Sequence, residues 1–120
     1  MRRVGLVAHD QKKPVLVEWC RQHRDRLAGF ELYATGTTGG QIAAATGLTI
    51  TLLKSGPLGG DAQLGAMIAE DRLDALIFYQ DPLTAQPHDV DIKALTRLAT
   101  LYDVLFAINQ ATADAVLAAL

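Results

Sequence analysis

Short apolar runs alternate along the chain with stretches of helical periodicity. Residues 4–8 (Val-Gly-Leu-Val-Ala) form an apolar run that predicts a buried first strand ending at His9-Asp10. Leu16, Trp19, Cys20, His23 and Leu27 then fall on one face of a helix, Arg21, Arg24 and Arg26 fall on the other, and Gly29 marks the exit. Residues 31–35 predict a second strand, residues 36–40 a small-residue loop, and residues 41–46 a short helix closed by Gly47. Residues 48–53 alternate threonine with apolar side chains, the mark of a strand near a sheet edge. Residues 55–61 read as a strand-to-helix loop, followed by a helix with Leu64, Met67 and Ile68 on one face. Residues 74–79 are almost continuously apolar, as in a strand covered on both sides. A polar loop with two prolines leads to His88, and Ile92, Leu95, Leu98, Ala99 and Tyr102 then repeat at helical spacing. Residues 104–108 predict the fifth strand, and Ala113, Val116, Leu117 and Leu120 a last short helix.

Five strands alternating with five helices imply an α/β fold, a three-layer α/β/α arrangement around a five-stranded parallel sheet. Ligands in such sheets bind beyond the carboxyl ends of the strands, near a reversal of strand order. The polar segments collect at those ends: His9-Asp10, residues 35–40, residues 55–61, Gln80-Asp81 and Asn109. That coincidence points to one site.

A chain of 120 residues fits a single domain, residues 1–120. A net charge of -2 gives no support for nucleic acid or a membrane surface as partner. Cys20 is the only cysteine, so no intrachain disulfide can form and a reducing compartment is expected. No apolar run approaches the ~20 residues of a membrane span. Met1-Arg2-Arg3 leads directly into a strand, so the expected location is the cytoplasm.

Ser55-Gly56-Pro57-Leu58-Gly59-Gly60-Asp61 is the stretch around which the chemistry is arranged. Its glycines let a ligand approach bare backbone, and a helix entrance offers unpaired N–H groups to an anion. Asp61 stands at that entrance, where a carboxylate can cap the backbone or take a proton. Thr35-Gly36-Thr37-Thr38-Gly39 adds three hydroxyls and a second glycine-rich turn. Its spacing is neither a P-loop nor G-x-G-x-x-G. Lys12 and Lys13 sit in a first helical turn, where cations oppose the helix dipole unless an anion binds there. Asp10, Asp61, Asp81 and Asp91 lie near strand or helix ends, where caps and turn formers are their common roles. His88, with Asp91 three residues on, can polarise a carbonyl oxygen, and His9 at the end of the first strand can do likewise. His and Asp residues show no metal-ligand spacing such as H-x-x-x-H, so no metal is expected.

Ala8-His9-Asp10-x-x-Lys13, Ala34-Thr35-Gly36-Thr37-Thr38-Gly39, the Ser55 to Asp61 block and Gln80-Asp81-Pro82-x-x-x-x-Pro87-His88-x-x-Asp91 together resemble methylglyoxal synthase over nearly the whole chain. The resemblance implies a homohexamer that converts dihydroxyacetone phosphate to methylglyoxal and inorganic phosphate without metal or organic cofactor, with inorganic phosphate as allosteric inhibitor. It implies that Lys13, Thr35, Gly36, Thr37, Thr38, Ser55 and Gly56 hold the phosphate. Asp61 takes the proton, His88 faces the substrate carbonyl, and His9, Asp10, Asp81 and Asp91 complete the shell. Ala107-Ile108-Asn109 departs from the Ala-Thr-Asn of the family. The same fold also resembles a non-catalytic, anion-binding regulatory module, a reading that does not require Asp61, His88 and Asp91 together.

Overall fold

A computed structural model describes residues 1–83 and 90–120, with the backbone alone for Val90 and Asp91. In it five parallel strands, β1 (Arg3–Ala8), β2 (Glu31–Thr35), β3 (Ile50–Leu53), β4 (Ala75–Tyr79) and β5 (Leu105–Ala107), form one sheet in the order β3-β2-β1-β4-β5. Chain order runs outward from β1 to β3 on one side and then jumps to β4 on the other. The reversal therefore lies between the carboxyl ends of β1 and β4, where Ala8 pairs with Tyr79. The three-layer expectation is met.

The alternation of side chains along β1 divides the interior in two. Val4, Leu6 and Ala8 pack with Ala34, Ile77 and Tyr79 beneath α1 (Lys13–Gln22), α2 (Arg24–Leu27), α3 (Gly36–Thr46) and α6 (Gln110–Ala119). Val7, Leu76 and Phe78 pack on the other face with Leu64 and Ile68 of α4 (Gly60–Ala69) and Leu95 of α5 (Val90–Leu101). Leu64, Ile68, Leu76 and Leu95 are fully enclosed, and each such side chain contributes about 1.5–3 kcal/mol relative to exposure. β4 is buried at all five positions, as its apolar run predicts. β3 is an edge strand, as its threonines predict, and its two middle residues are exposed.

Three boundaries differ by more than one residue from the sequence pattern. The first long helix breaks at His23, and Arg24 Nε donates to the Thr46 carbonyl at 2.6 Å, which ties α2 to the end of α3. β3 begins at Ile50 instead of residue 48, because the Leu48 amide is taken by the Thr46 hydroxyl at 3.1 Å. The largest difference is at α3, which begins at Gly36 where the glycines predict a loop through residue 40. Glycine costs a helix about 1 kcal/mol relative to alanine. Here packing outweighs that cost. A Cβ on Gly39 would run into the Leu52 side chain and stand 3.1 Å from Ala34 Cβ, so glycine lets α3 lie close on β2 and β3.

Trp19 and Cys20 belong to the core, as the helical stripe predicts. Trp19 Nε1 donates to Asp114 Oδ1 at 2.8 Å and fastens α1 to α6. Cys20 is fully buried, and that burial pushes its thiol up to about 12, so it packs as a protonated core residue at neutral pH.

Candidate active site

A cleft of about 250 Å³ opens at the carboxyl ends of the strands. Its walls are Val7, Ala8 and His9 at the end of β1, Asp10 and Lys13 where the chain enters α1, Thr35, Thr37 and Thr38 at the start of α3, Ser55, Gly56, Pro57 and Asp61 at the turn into α4, Phe78 of β4, and Ile92 of α5. Pockets for drug-sized ligands run from ~300 to ~1,000 Å³, so this one suits a small metabolite. Its polar groups come from separate loops, and its floor is apolar.

The entry to α3 brings a helix N-terminus and three threonines to the cleft. Because the helix starts at Gly36, the amides of its first turn lack carbonyl partners within the helix, and the partial positive charge of the helix end lies there. Thr35 is the residue before the helix and does not cap it with its side chain. Thr38 is 1 % exposed, and its Oγ1 meets no hydrogen-bond partner among the described residues. A buried hydroxyl without a partner costs about 1–3 kcal/mol. Gly36 is not part of the cleft wall. A Cβ there would stand 3.3 Å from the Leu53 carbonyl, so Gly36 lets the α3 entrance approach the end of β3. Lys13 Nζ pairs with Asp10 Oδ1 at 2.8 Å, the lysine largely covered and the aspartate on the rim. This partly offsets the mismatch between a cation and the N-terminus of α1.

The entry to α4 places a carboxylate. Residues Gly56–Leu58 make one 3₁₀ turn, and the Ser55 carbonyl accepts from the amides of Leu58 and Gly60, both at 3.0 Å. Gly59 then reverses the chain at φ +109°, a left-handed conformation that side chains other than hydrogen strain to adopt. Gly60 lies so close under the Lys54 carbonyl that a Cβ would collide with it. Gly59 is the residue before α4, so Asp61 is no cap; it is the second residue of the helix, 7 % exposed. Its carboxylate faces Gly56: a Cβ built there would stand 3.4 Å from Asp61 Oδ2.

His9 closes the cleft at the point of strand reversal. The Asp81 amide donates to His9 Nδ1 at 2.8 Å, so the neutral ring carries its proton on Nε2. The ring also stands edge-on to Phe78, with centroids 5.2 Å apart. Asp81 is buried and reaches the site through this amide, while its Oδ1 accepts from the Leu83 amide at 3.1 Å in the turn after β4. Asp91 is the second residue of α5, placed by its backbone. His88 lies outside the described residues.

Nine sequence candidates thus line one cleft: His9, Asp10, Lys13, Thr35, Thr37, Thr38, Ser55, Gly56 and Asp61. The apolar part of the wall went unnoticed in the sequence. Val7, Ala8 and Phe78 read there only as buried strand, Ile92 only as helix core. For Val7, Ala8 and Phe78 the signal was position, since each sits within a few residues of a polar strand end; Ile92 directly follows Asp91 at the start of α5.

The MGS-like domain family model matches residues 15–108. A methylglyoxal synthase from Agrobacterium fabrum is 58 % identical over 114 residues, 94 % of this chain and 90 % of that protein. One from Brucella ovis is 54 % identical over 119 residues, 98 % of this chain and 95 % of that protein. The crystal structure of methylglyoxal synthase from Elizabethkingia anophelis superposes with a TM-score of 0.92 at 47 % identity, covering 97 % of this chain and 76 % of that one.

Proposed function

The chain belongs to the methylglyoxal synthase family, and from that premise we propose that it is a lyase converting dihydroxyacetone phosphate to methylglyoxal and inorganic phosphate. The observation that carries the reading is the meeting, in one small cleft, of an anion-directed helix entrance and the covered carboxylate of Asp61 against Gly56. The phosphate of the substrate is gripped by Lys13, the hydroxyls of Thr35, Thr37, Thr38 and Ser55, and the amides around Gly36 and Gly56. Asp61 removes a proton from the hydroxymethyl carbon beside the ketone. His88, and with it the Nε2–H of His9, donates to the ketone oxygen as negative charge gathers there; Asp10, Asp81 and Asp91 set the electrostatics around them.

The resulting enediol gives up the proton of its terminal hydroxyl, and the departing phosphate takes up that proton. The electron pair shifts along O–C=C–C, and the bond from carbon to the phosphate oxygen breaks. The enol that leaves becomes methylglyoxal by moving one proton from oxygen to carbon. Atoms and electrons balance with no external oxidant or reductant. A positioned base contributes about 10²–10⁴-fold, and a preorganised donor at the oxyanion about 10²–10³-fold. The grip on the phosphate supplies the orientation that makes both usable.

The same reading carries a homohexameric, cytoplasmic enzyme inhibited by inorganic phosphate, its own product. The regulatory-module alternative is not favoured, because an anion site alone needs no carboxylate sealed against its cradle. Incubation with dihydroxyacetone phosphate tests the assignment: methylglyoxal and inorganic phosphate are expected in equal amounts. An aldose phosphate without phosphate release identifies an isomerase, and phosphate binding without turnover identifies a regulatory module.

A further inference from the structure

We propose that Gln63 is a positioning residue for this reaction: by holding the Lys54 backbone to α4, it sets the spacing between the Ser55-Gly56 phosphate cradle and the Asp61 carboxylate. The proposal rests on the lyase reading above. Gln63 does not line the cleft. Its own amide donates to the Gly59 carbonyl at 3.0 Å, which places it in the first turn of α4 together with Asp61. Its side-chain Oε1 accepts from the Lys54 amide at 2.8 Å.

Lys54 is the first residue beyond β3, where the ladder with β2 ends at the pair Thr35 and Leu53. β3 is an edge strand, so no second strand steadies its outgoing end. α4 does that instead, at two points on one residue. The Lys54 amide is held by Gln63, and the Lys54 carbonyl is packed onto Gly60. The next carbonyl, that of Ser55, accepts from the Gly60 amide at 3.0 Å. The cradle is thereby built outward from the same helical turn that carries the base. Of these anchors only the Gln63 contact depends on a side chain, and only it can be removed without touching the cradle or Asp61.

A displacement of about 1 Å between reacting groups can cost on the order of 10²-fold in rate. Gln63→Met keeps length and removes the acceptor; Gln63→Glu keeps an oxygen in the same place. For Gln63→Met the expected result is a fall in kcat of about tenfold, with KM and the Kd of inorganic phosphate within about twofold, since Lys13 and the threonines still grip the anion. Hydrogen exchange at the Lys54 amide should quicken in Gln63→Met, and Gln63→Glu should restore both slow exchange and most of kcat. Unchanged kcat in Gln63→Met, unchanged Lys54 exchange, or a Gln63→Glu variant as impaired as Gln63→Met would each overturn the proposal. A loss of kcat that only tracks a fall in Tm would overturn it too. Wild-type protein that leaves dihydroxyacetone phosphate intact would overturn the lyase reading instead, and the Lys54 exchange of the three proteins would still decide whether the brace exists.

Discussion

At the entry to α3, glycine serves contact between layers: Gly39 has no side chain, so the helix can rest on Ala34 and Leu52 and bring its first-turn amides to the cleft. At the entry to α4, glycine serves direction. Gly59 turns the chain through a left-handed conformation, Gly60 slides beneath the Lys54 carbonyl, and Asp61 is left buried and facing Gly56. The two turns have similar composition, and both end at a helix N-terminus above the sheet. On the proposed reading, one presents donors to a fixed charge and the other presents a base to a carbon. In that proposal their difference is the division between holding a phosphate ester and breaking it. It resides in the side chains beside the glycines, hydroxyls at α3 and a carboxylate at α4.

The largest effect is expected from disarming the second turn alone. Asp61→Asn keeps shape and removes the basic oxygen. Turnover is expected to fall by about 10²–10⁴-fold, the usual contribution of a positioned base. The Kd of inorganic phosphate, read by calorimetry, should change by less than about threefold, because the hydroxyls and Lys13 are untouched. Wild-type turnover in this variant would remove Asp61 from the chemistry and leave the two turns with a single shared role.

The next test applies one substitution to both turns. Gly60→Ala drives a methyl group into the Lys54 carbonyl, and the start of α4 has to retreat. Overpacking of this kind costs about 1–3 kcal/mol, and a base moved by about 1 Å costs on the order of 10²-fold in kcat. Gly40, inside α3, has nothing within 4 Å of an added Cβ. Gly40→Ala should therefore raise stability by up to about 1 kcal/mol through helix propensity, with kcat unchanged. Thermal denaturation and steady-state kinetics on the pair decide it; equal losses would show that the glycines of the two turns are equivalent.

These contrasts also explain what could be read from the chain and what could not. Glu31–Thr35 was legible to the residue as β2, and β4 to within one residue, because an apolar run between polar ends has few other solutions. The meeting of strand-end polar segments in one cleft was legible because parallel topology places all carboxyl ends on one side. The start of α3 was not, since local propensity argues against helix at Gly36, Gly39 and Gly40, and the contact that overrides it comes from Leu52 on another strand. Gln63 was invisible for a related reason. Its partner Lys54 is nine residues away, and a glutamine in a helix carries no pattern that announces a backbone contact. The orientation of His9 depends on the Asp81 amide, 72 residues distant. Residue types and order pointed to the proposed chemistry; the contacts that set its geometry lie outside the local pattern.

The finest test of the contrast lies within the first turn, at Thr38. Its hydroxyl is enclosed, yet meets no hydrogen-bond partner among the described residues. If the α3 entrance exists to hold an anion, the free protein bears the cost of that hydroxyl and the bound protein recovers it. Thr38→Val replaces the hydroxyl with a methyl group of similar size. Stability without ligand should hold or rise by about 1 kcal/mol, because an unsatisfied polar group leaves the interior. A hydrogen bond to a charged group is worth about 1.5–3 kcal/mol, so the Kd of inorganic phosphate should rise by about tenfold or more. kcat at saturating substrate should fall less than for either change at the second turn, since the base stays in place. Opposite signs for stability and affinity are what a binding hydroxyl predicts. A variant that is less stable and binds phosphate as well as wild type would make Thr38 a packing residue and move the grip to Lys13 and the backbone amides.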